Sequence, residues 1–133
     1  MFDKTGSLML NGLTKLTDAQ AVSLGKCKGT QLILHGLQQL TDFQAEQLSN
    51  CRNLHLDGLE RITDRQAESL GRCTFLELGG LMELSEPAAA HLGNVSVLRL
   101  EGINRLSDSQ AKHPSRCMLY IRSEAKKRVE KYR

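Results

Sequence analysis

Apolar positions recur in one order five times along the chain. Leu8, Leu32, Leu54, Leu76 and Leu98 each open a run of the form L-x-L-x-G-[LI]-x-x-[LI]-[TS]-[DE]-x-[QA]-A, and in the first four copies another leucine follows three residues later. The steps between copies are 24, 22, 22 and 22 residues, the two extra residues falling around Lys28 to Gln31. In the third copy Leu54 and Leu56 alternate with His55 and Asp57, which is strand periodicity. Gly58 turns the chain out of the strand without a Cβ penalty, and Leu59 and Ile62 then point inward.

Thr63-Asp64-Arg65-Gln66 predicts a helix start with a capping box, in which the Thr hydroxyl and the Gln side chain satisfy each other's backbone N–H groups. Thr17/Gln20, Thr41/Gln44 and Ser107/Gln110 repeat the pair, and Asp18, Asp42, Asp64 and Asp108 place negative charge at the first helical position. Ile62/Ala67 has hydrophobic-staple spacing, as do Leu16/Ala21, Leu40/Ala45, Leu84/Ala89 and Leu106/Ala111. The predicted helices end near Gly25, Ser49, Gly71 and Gly93. Two turns of helix are marginal alone in water, so stacking must hold them. The fourth copy, Ser85-Glu86-Pro87-Ala88, keeps the cap, loses the box and gains a proline that a first turn tolerates. A strand, a turn and a short helix repeated at this period predict units that bury their apolar sides against one another.

The stretch from Cys51 to Ile62, C-x-x-L-x-L-x-G-L-x-x-[LI], and nearly that from Cys73 to Leu84, resembles the core of leucine-rich repeats. The G-L-x-x-L-[TS]-D-x-Q-A signature is most similar to short bacterial repeats of that family, and the resemblance covers roughly residues 7–111. It implies an α/β right-handed solenoid with a parallel sheet on the concave side and short helices on the convex side. Leu13, Leu37, Leu59, Leu81 and Ile103 stand where the family carries an Asn that bonds neighbouring turns, so here those backbone groups must be satisfied from elsewhere. At about 4.8 Å per strand, five copies make a sheet only ~24 Å long, a short arc.

Length then sets the domain organisation: 133 residues hold one five-repeat body over residues 1–111 and a C-terminal segment over 112–133. The net charge of +3 hides an asymmetry, because the body is mildly acidic and eight of the basic residues lie in the last segment. Pro114 interrupts the fifth helix, and Met118 to Ile121 reads as a final apolar strand. This segment is expected to cap the core, with Arg122, Lys126, Lys127, Arg128, Lys131 and Arg133 as an alternative basic patch for nucleic acid or an anionic surface. Aromatic residues are only 4% of the chain, with no Trp, so base-stacking platforms are lacking. No long apolar run or signal-like start is present, which leads to the expectation of a cytoplasmic chain without a membrane span. Met1 to Gly6 is too short for a full cap, so an open N-terminal end is expected to invite self-association or further chain.

The variable positions carry the candidate chemistry. Between the strand leucines stand Met9, Ile33, His55, Glu77 and Arg99; two residues further on stand Asn11, His35, Asp57, Gly79 and Glu101. Strand alternation puts both columns on the face away from the leucines. The expected partner-binding surface is Met9, Ile33, His35, His55, Asp57, Glu77, Arg99 and Glu101, with Phe75 as a further apolar anchor. His35 beside Asp57 and His55 beside Glu77 offer zinc-type ligands, but such residues on a sheet are ordinarily solvated, and no metal or cofactor is expected. Cys27, Cys51 and Cys73 share one offset, which Val95 fills in the fourth copy; a small buried apolar group is wanted there, and reduced thiols are expected. No G-x-S-x-G, H-E-x-x-H, P-loop or dinucleotide loop occurs, so no enzyme is expected. The functional expectation is a module that binds a protein partner through the concave sheet. The alternatives are anionic binding by the basic segment and a self-assembling solenoid or piece of a longer array.

Overall fold

The computed structural model describes residues 7–26, 31–103 and the backbone of 118–121. Strands and helices alternate: β1 (Ser7–Met9), α1 (Asp18–Gly25), β2 (Gln31–Ile33), α2 (Asp42–Leu48), β3 (Asn53–His55), α3 (Asp64–Leu70), β4 (Phe75–Glu77), α4 (Glu86–Leu92), β5 (Val97–Leu100) and β6 (Met118–Ile121). All six strands form one parallel sheet in chain order. The leucines keep register across it, Leu8 beside Leu32, Leu32 beside Leu54, Leu54 beside Leu76 and Leu76 beside Leu98. β6 continues the ladder, pairing Leu98 with Leu119 inside the segment expected to cap the core.

One apolar core lies between the sheet and the helices. It is built from both strand leucines (Leu54, Leu56), the turn leucine (Leu59) and the helix alanine and leucine (Ala67, Leu70), repeated copy by copy. Neighbouring helices stack on one another as the strands do, α1 on α2, α2 on α3 and α3 on α4.

The helix starts form as their sequences predict. Thr17, Thr41 and Thr63 close capping boxes with Gln20, Gln44 and Gln66, while Ser85 caps α4 through the Ala88 N–H with Pro87 in the first turn. The Ser107/Gln110 pair lies outside the described residues.

At the turn, the N–H groups of Leu13, Leu37, Leu59 and Leu81 donate to Leu10, Leu34, Leu56 and Leu78 O, and the caps add bonds between units. Gln44 Nε2 donates to Leu16 O at 2.9 Å and to Asp18 Oδ1 at 3.1 Å, and Gln66 Nε2 donates to Leu40 O at 2.5 Å. Gln44 and Gln66 therefore each spend the amide oxygen on their own helix and the amide nitrogen on the preceding unit. The cap hydroxyls run a parallel ladder: Thr63 Oγ1 donates to Asp42 Oδ1 at 2.7 Å, and Ser85 Oγ donates to Asp64 Oδ1.

The repeated glycine proves to be a packing position. An added Cβ at Gly36, Gly58 or Gly80 would lie 2.0, 2.3 or 1.9 Å from the carbonyl oxygen of Asn11, His35 or Asp57 in the preceding unit. None of these glycines has a positive φ of the left-handed kind. Close approach of two backbones, rather than turn geometry, demands glycine there.

Candidate functional site

Alternation along the strands sends one set of side chains into the core and the other to the open face of the sheet. Residues 53, 55 and 57 share that open face, and parallel register sets His55 beside Glu77 and Glu77 beside Arg99. Backbone bonds fix the strand exits: the Leu34 N–H donates to His55 O and the Leu56 N–H to Glu77 O, each carrying the ladder one residue past the strand. Two side chains help, since Asn11 Oδ1 accepts from the His35 N–H at 3.1 Å and Asp57 Oδ1 accepts from the Gly79 N–H at 2.6 Å.

Four ionisable side chains meet at the middle of this face. Glu77 Oε2 lies 3.1 Å from His35 Nε2 and 3.1 Å from His55 Nδ1. Asp57 Oδ2 is 3.3 Å from the same His35 nitrogen. His55 Nε2 lies 2.9 Å from Asn53 Oδ1, so the two ring nitrogens are held between Asn53 and Glu77. Phe75 stacks on the His55 ring with centroids 5.2 Å apart, and the two histidine rings are 5.9 Å apart and tilted. On the far side Arg99 Nη1 is 3.5 Å from Glu77 Oε1, and Arg99 Nη2 is 2.7 Å from Glu101 Oε1.

The cluster is shielded at its centre and open at its edge. His55 and Glu77 side chains are only 13% and 14% exposed, whereas His35 is 40% exposed. Burial pushes the Asp57 carboxyl above its ordinary value, and its hydrogen bond with Glu77 adds to this; the Gly79 N–H and His35 oppose it. Burial would raise Glu77 as well, but hydrogen bonds from Asp57, His55 and His35 outweigh it and hold that carboxyl below its ordinary value. Of the two carboxyls, Glu77 is therefore the one that gives up its proton more readily.

Several sequence expectations are refined here. His35/Asp57 and His55/Glu77 were expected as two side-by-side pairs; the structure joins them, because His35 reaches across a strand to Glu77. Ile33, expected as an exposed anchor, is only 9% exposed between its neighbours Met9 and His55. Phe75, also expected as an anchor, is half-buried and supports His55. Met9 is 56% exposed, and Arg99 and Glu101 occupy the expected face. Asn53 was not singled out by sequence, although its spacing of two from His55 placed it on the same face. The exposed Phe43 and Met82 lie outside this face, one on α2 and one in the turn after β4. Arg122, Lys126, Lys127, Arg128, Lys131 and Arg133 lie outside the described residues, as do Cys27 and Cys117.

On the core side, Cys73 is buried as a thiol and its pKa is pushed up to about 12, chiefly by burial and secondarily by Cys51. Cys51 is half-buried, its Sγ 3.6 Å from Leu24 O. Leu10, Leu13, Ala19, Gln20, Ser23 and Leu24 line an open, mainly apolar hollow of about 460 Å³ beside β1. No helix among the described residues is long and apolar enough to cross a membrane. No protein-family model, curated protein or solved structure matches the chain.

Proposed function

We propose that this chain is a leucine-rich-repeat-like right-handed solenoid of the short bacterial type, with its helices on the convex side. Its role is non-enzymatic: it binds a protein partner through the concave face of the sheet. The observation behind this is the network that joins His35, Asp57, His55, Glu77, Arg99 and Glu101 across four consecutive strands, with Met9 exposed at the β1 side. Such a surface is broad, chemically mixed and held in place before a partner arrives, which lowers the ordering cost of association. Repeat folds commonly make contact through a surface of this kind. The buried Cys73 thiol suits a reducing compartment, and we place the chain in the cytoplasm.

The test is crosslinked affinity capture from the native cell, followed by measurement of the recovered complex with purified components. Arg99→Glu combined with Met9→Glu should weaken that complex at least 10-fold. Arg61→Glu, in the exposed turn before α3, should leave it unchanged. Equal affinities for both variants would overturn the assignment. A second occupant is favoured by the hollow beside β1: another copy of the chain seated on Leu10 and Leu13. Light scattering across a range of concentrations would show a mass that rises and that falls back on Leu13→Glu.

A further inference from the structure

The cluster at the centre of the sheet brings metal-ligand atoms from three successive units to one point. Glu77 Oε2 is approached by two imidazole nitrogens at 3.1 Å each, and one of those nitrogens is approached by a second carboxylate oxygen at 3.3 Å. Asn53 Oδ1 stands 2.9 Å from His55 Nε2, the ring nitrogen that does not face Glu77.

The separations also have the right size. A tetrahedral ion bound at about 2.0–2.2 Å by nitrogen and oxygen sets its ligands about 3.3–3.6 Å apart along each edge. The ligand atoms of His35, His55 and Glu77 all lie within 4.8 Å of one another.

We propose that His35 Nε2, His55 Nδ1 and Glu77 Oε2 bind one divalent zinc ion on the open face of the sheet, with Asp57 Oδ2 beside them, 3.3 Å from His35 Nε2. The outer partners that metal ligands ordinarily need are already in place. Asn53 Oδ1 orients His55, the Gly79 N–H holds Asp57 Oδ1 and leaves Oδ2 directed at His35, and Arg99 pairs with Glu77 Oε1 and leaves Oε2 inward. Phe75 fixes the plane of the His55 ring by stacking. The exposed side of His35 gives the ion its entry path. Two imidazoles and carboxylate oxygens suit zinc, whereas calcium and magnesium prefer oxygen alone. The ion would tie together the units of β2, β3 and β4, which carry the three ligands. It differs from the expectation of solvated side chains because His35 reaches Glu77 as well as Asp57. The site stands independently of the partner-binding role.

Zinc chloride titrated into the chelator-treated full chain by calorimetry should bind with one ion per chain and raise Tm. Glu77→Gln and His35→Asn should each weaken binding at least 10-fold, and Asn53→Ala should weaken it about 10-fold through loss of an outer partner. His91→Gln, on α4, should bind as the parent does. Circular dichroism of each variant establishes that the fold persists. Cobalt(II) distinguishes the histidine–carboxylate site from the cysteines, because thiolate ligation produces an intense near-ultraviolet charge-transfer band and this site should produce none. Absence of stoichiometric zinc binding would overturn the proposal. So would undiminished binding by folded Glu77→Gln, or a cobalt–thiolate band.

Discussion

Replacing Gly58 with Ala should destabilise this protein well beyond the effect of an ordinary turn substitution. The new Cβ would stand 2.3 Å from His35 O and 2.5 Å from Leu37 O, where an ordinary contact lies between 3.4 and 4 Å. Both atoms are backbone, so no flexible side-chain tip can swing aside, and the two chains must separate by about 1 Å in a close-packed interior. The Leu34 N–H to His55 O bond at 2.9 Å and the Leu37 N–H to Leu34 O bond at 3.1 Å lie in the segments that would have to move. Overpacking of this sort costs about 1–3 kcal/mol, sometimes more. Against it stands the gain of about 0.4–1 kcal/mol that alanine provides by restricting the unfolded chain. The clash wins. For a chain of this length about 1 kcal/mol corresponds to roughly 4 °C, so a net loss of up to about 2.6 kcal/mol should lower the midpoint by up to about 10 °C. Gly12 occupies the same place in the first copy with nothing within 4 Å of its Cβ among the described residues. Gly12→Ala should therefore leave the midpoint unchanged or raise it by about 2–4 °C. Differential scanning calorimetry on the parent and both variants decides the matter. If Gly58→Ala melts with the parent, or Gly12→Ala falls as far as Gly58→Ala, close approach is not why this glycine recurs.

The buried caps and the core thiol give further expectations. Gln66→Ala should cost about 1–3 kcal/mol by urea denaturation, because it strips the Leu40 carbonyl and the Thr63 N–H of a partner at a position only 5% exposed. A loss below about 0.5 kcal/mol would show that the inter-unit bond is replaced by water. Cys73, with its thiol pKa near 12, should resist iodoacetamide at pH 8 until the chain unfolds, and mass spectrometry of tryptic peptides reports this directly. The same shift has a defined sign in stability. The folded thiol's pKa lies above the reference value of 9.0, so its contribution is complete below pH 9 and is lost progressively as pH rises from 9 toward 12. Cys73→Val should be nearly neutral, within about 1.5 kcal/mol, since Val95 fills the equivalent buried place one unit on. The exposed Arg61–Glu83 pair, 3.9 Å apart, should contribute under about 0.5 kcal/mol, so Arg61→Ala should barely move the urea midpoint.

Much of this molecule was legible one residue at a time. Leucine spacing, the Thr-Asp-x-Gln starts and the period of 22 residues are local signals, and they located the strands, the helix caps and the core-facing side chains, because each rests on backbone geometry within a few residues. The columns of exposed side chains followed from strand alternation alone, and so did the pairing of His55 with Glu77. What sequence could not supply was everything that depends on the distance between units. Gln44 and Gln66 looked like ordinary capping residues; only stacking showed their amide nitrogens bonded to the preceding turn. Gly58 looked like a turn residue until the neighbouring carbonyl was seen where its side chain would go. Ile33 read as exposed because alternation assigns a face but not what covers it. The merging of two histidine–carboxylate pairs into one cluster required side-chain reach across a strand, which register does not encode. Periodicity therefore determined the unit, and packing between units decided how its polar residues are used, since hydrogen bonds and close contacts depend on three-dimensional separations that a linear spacing leaves open.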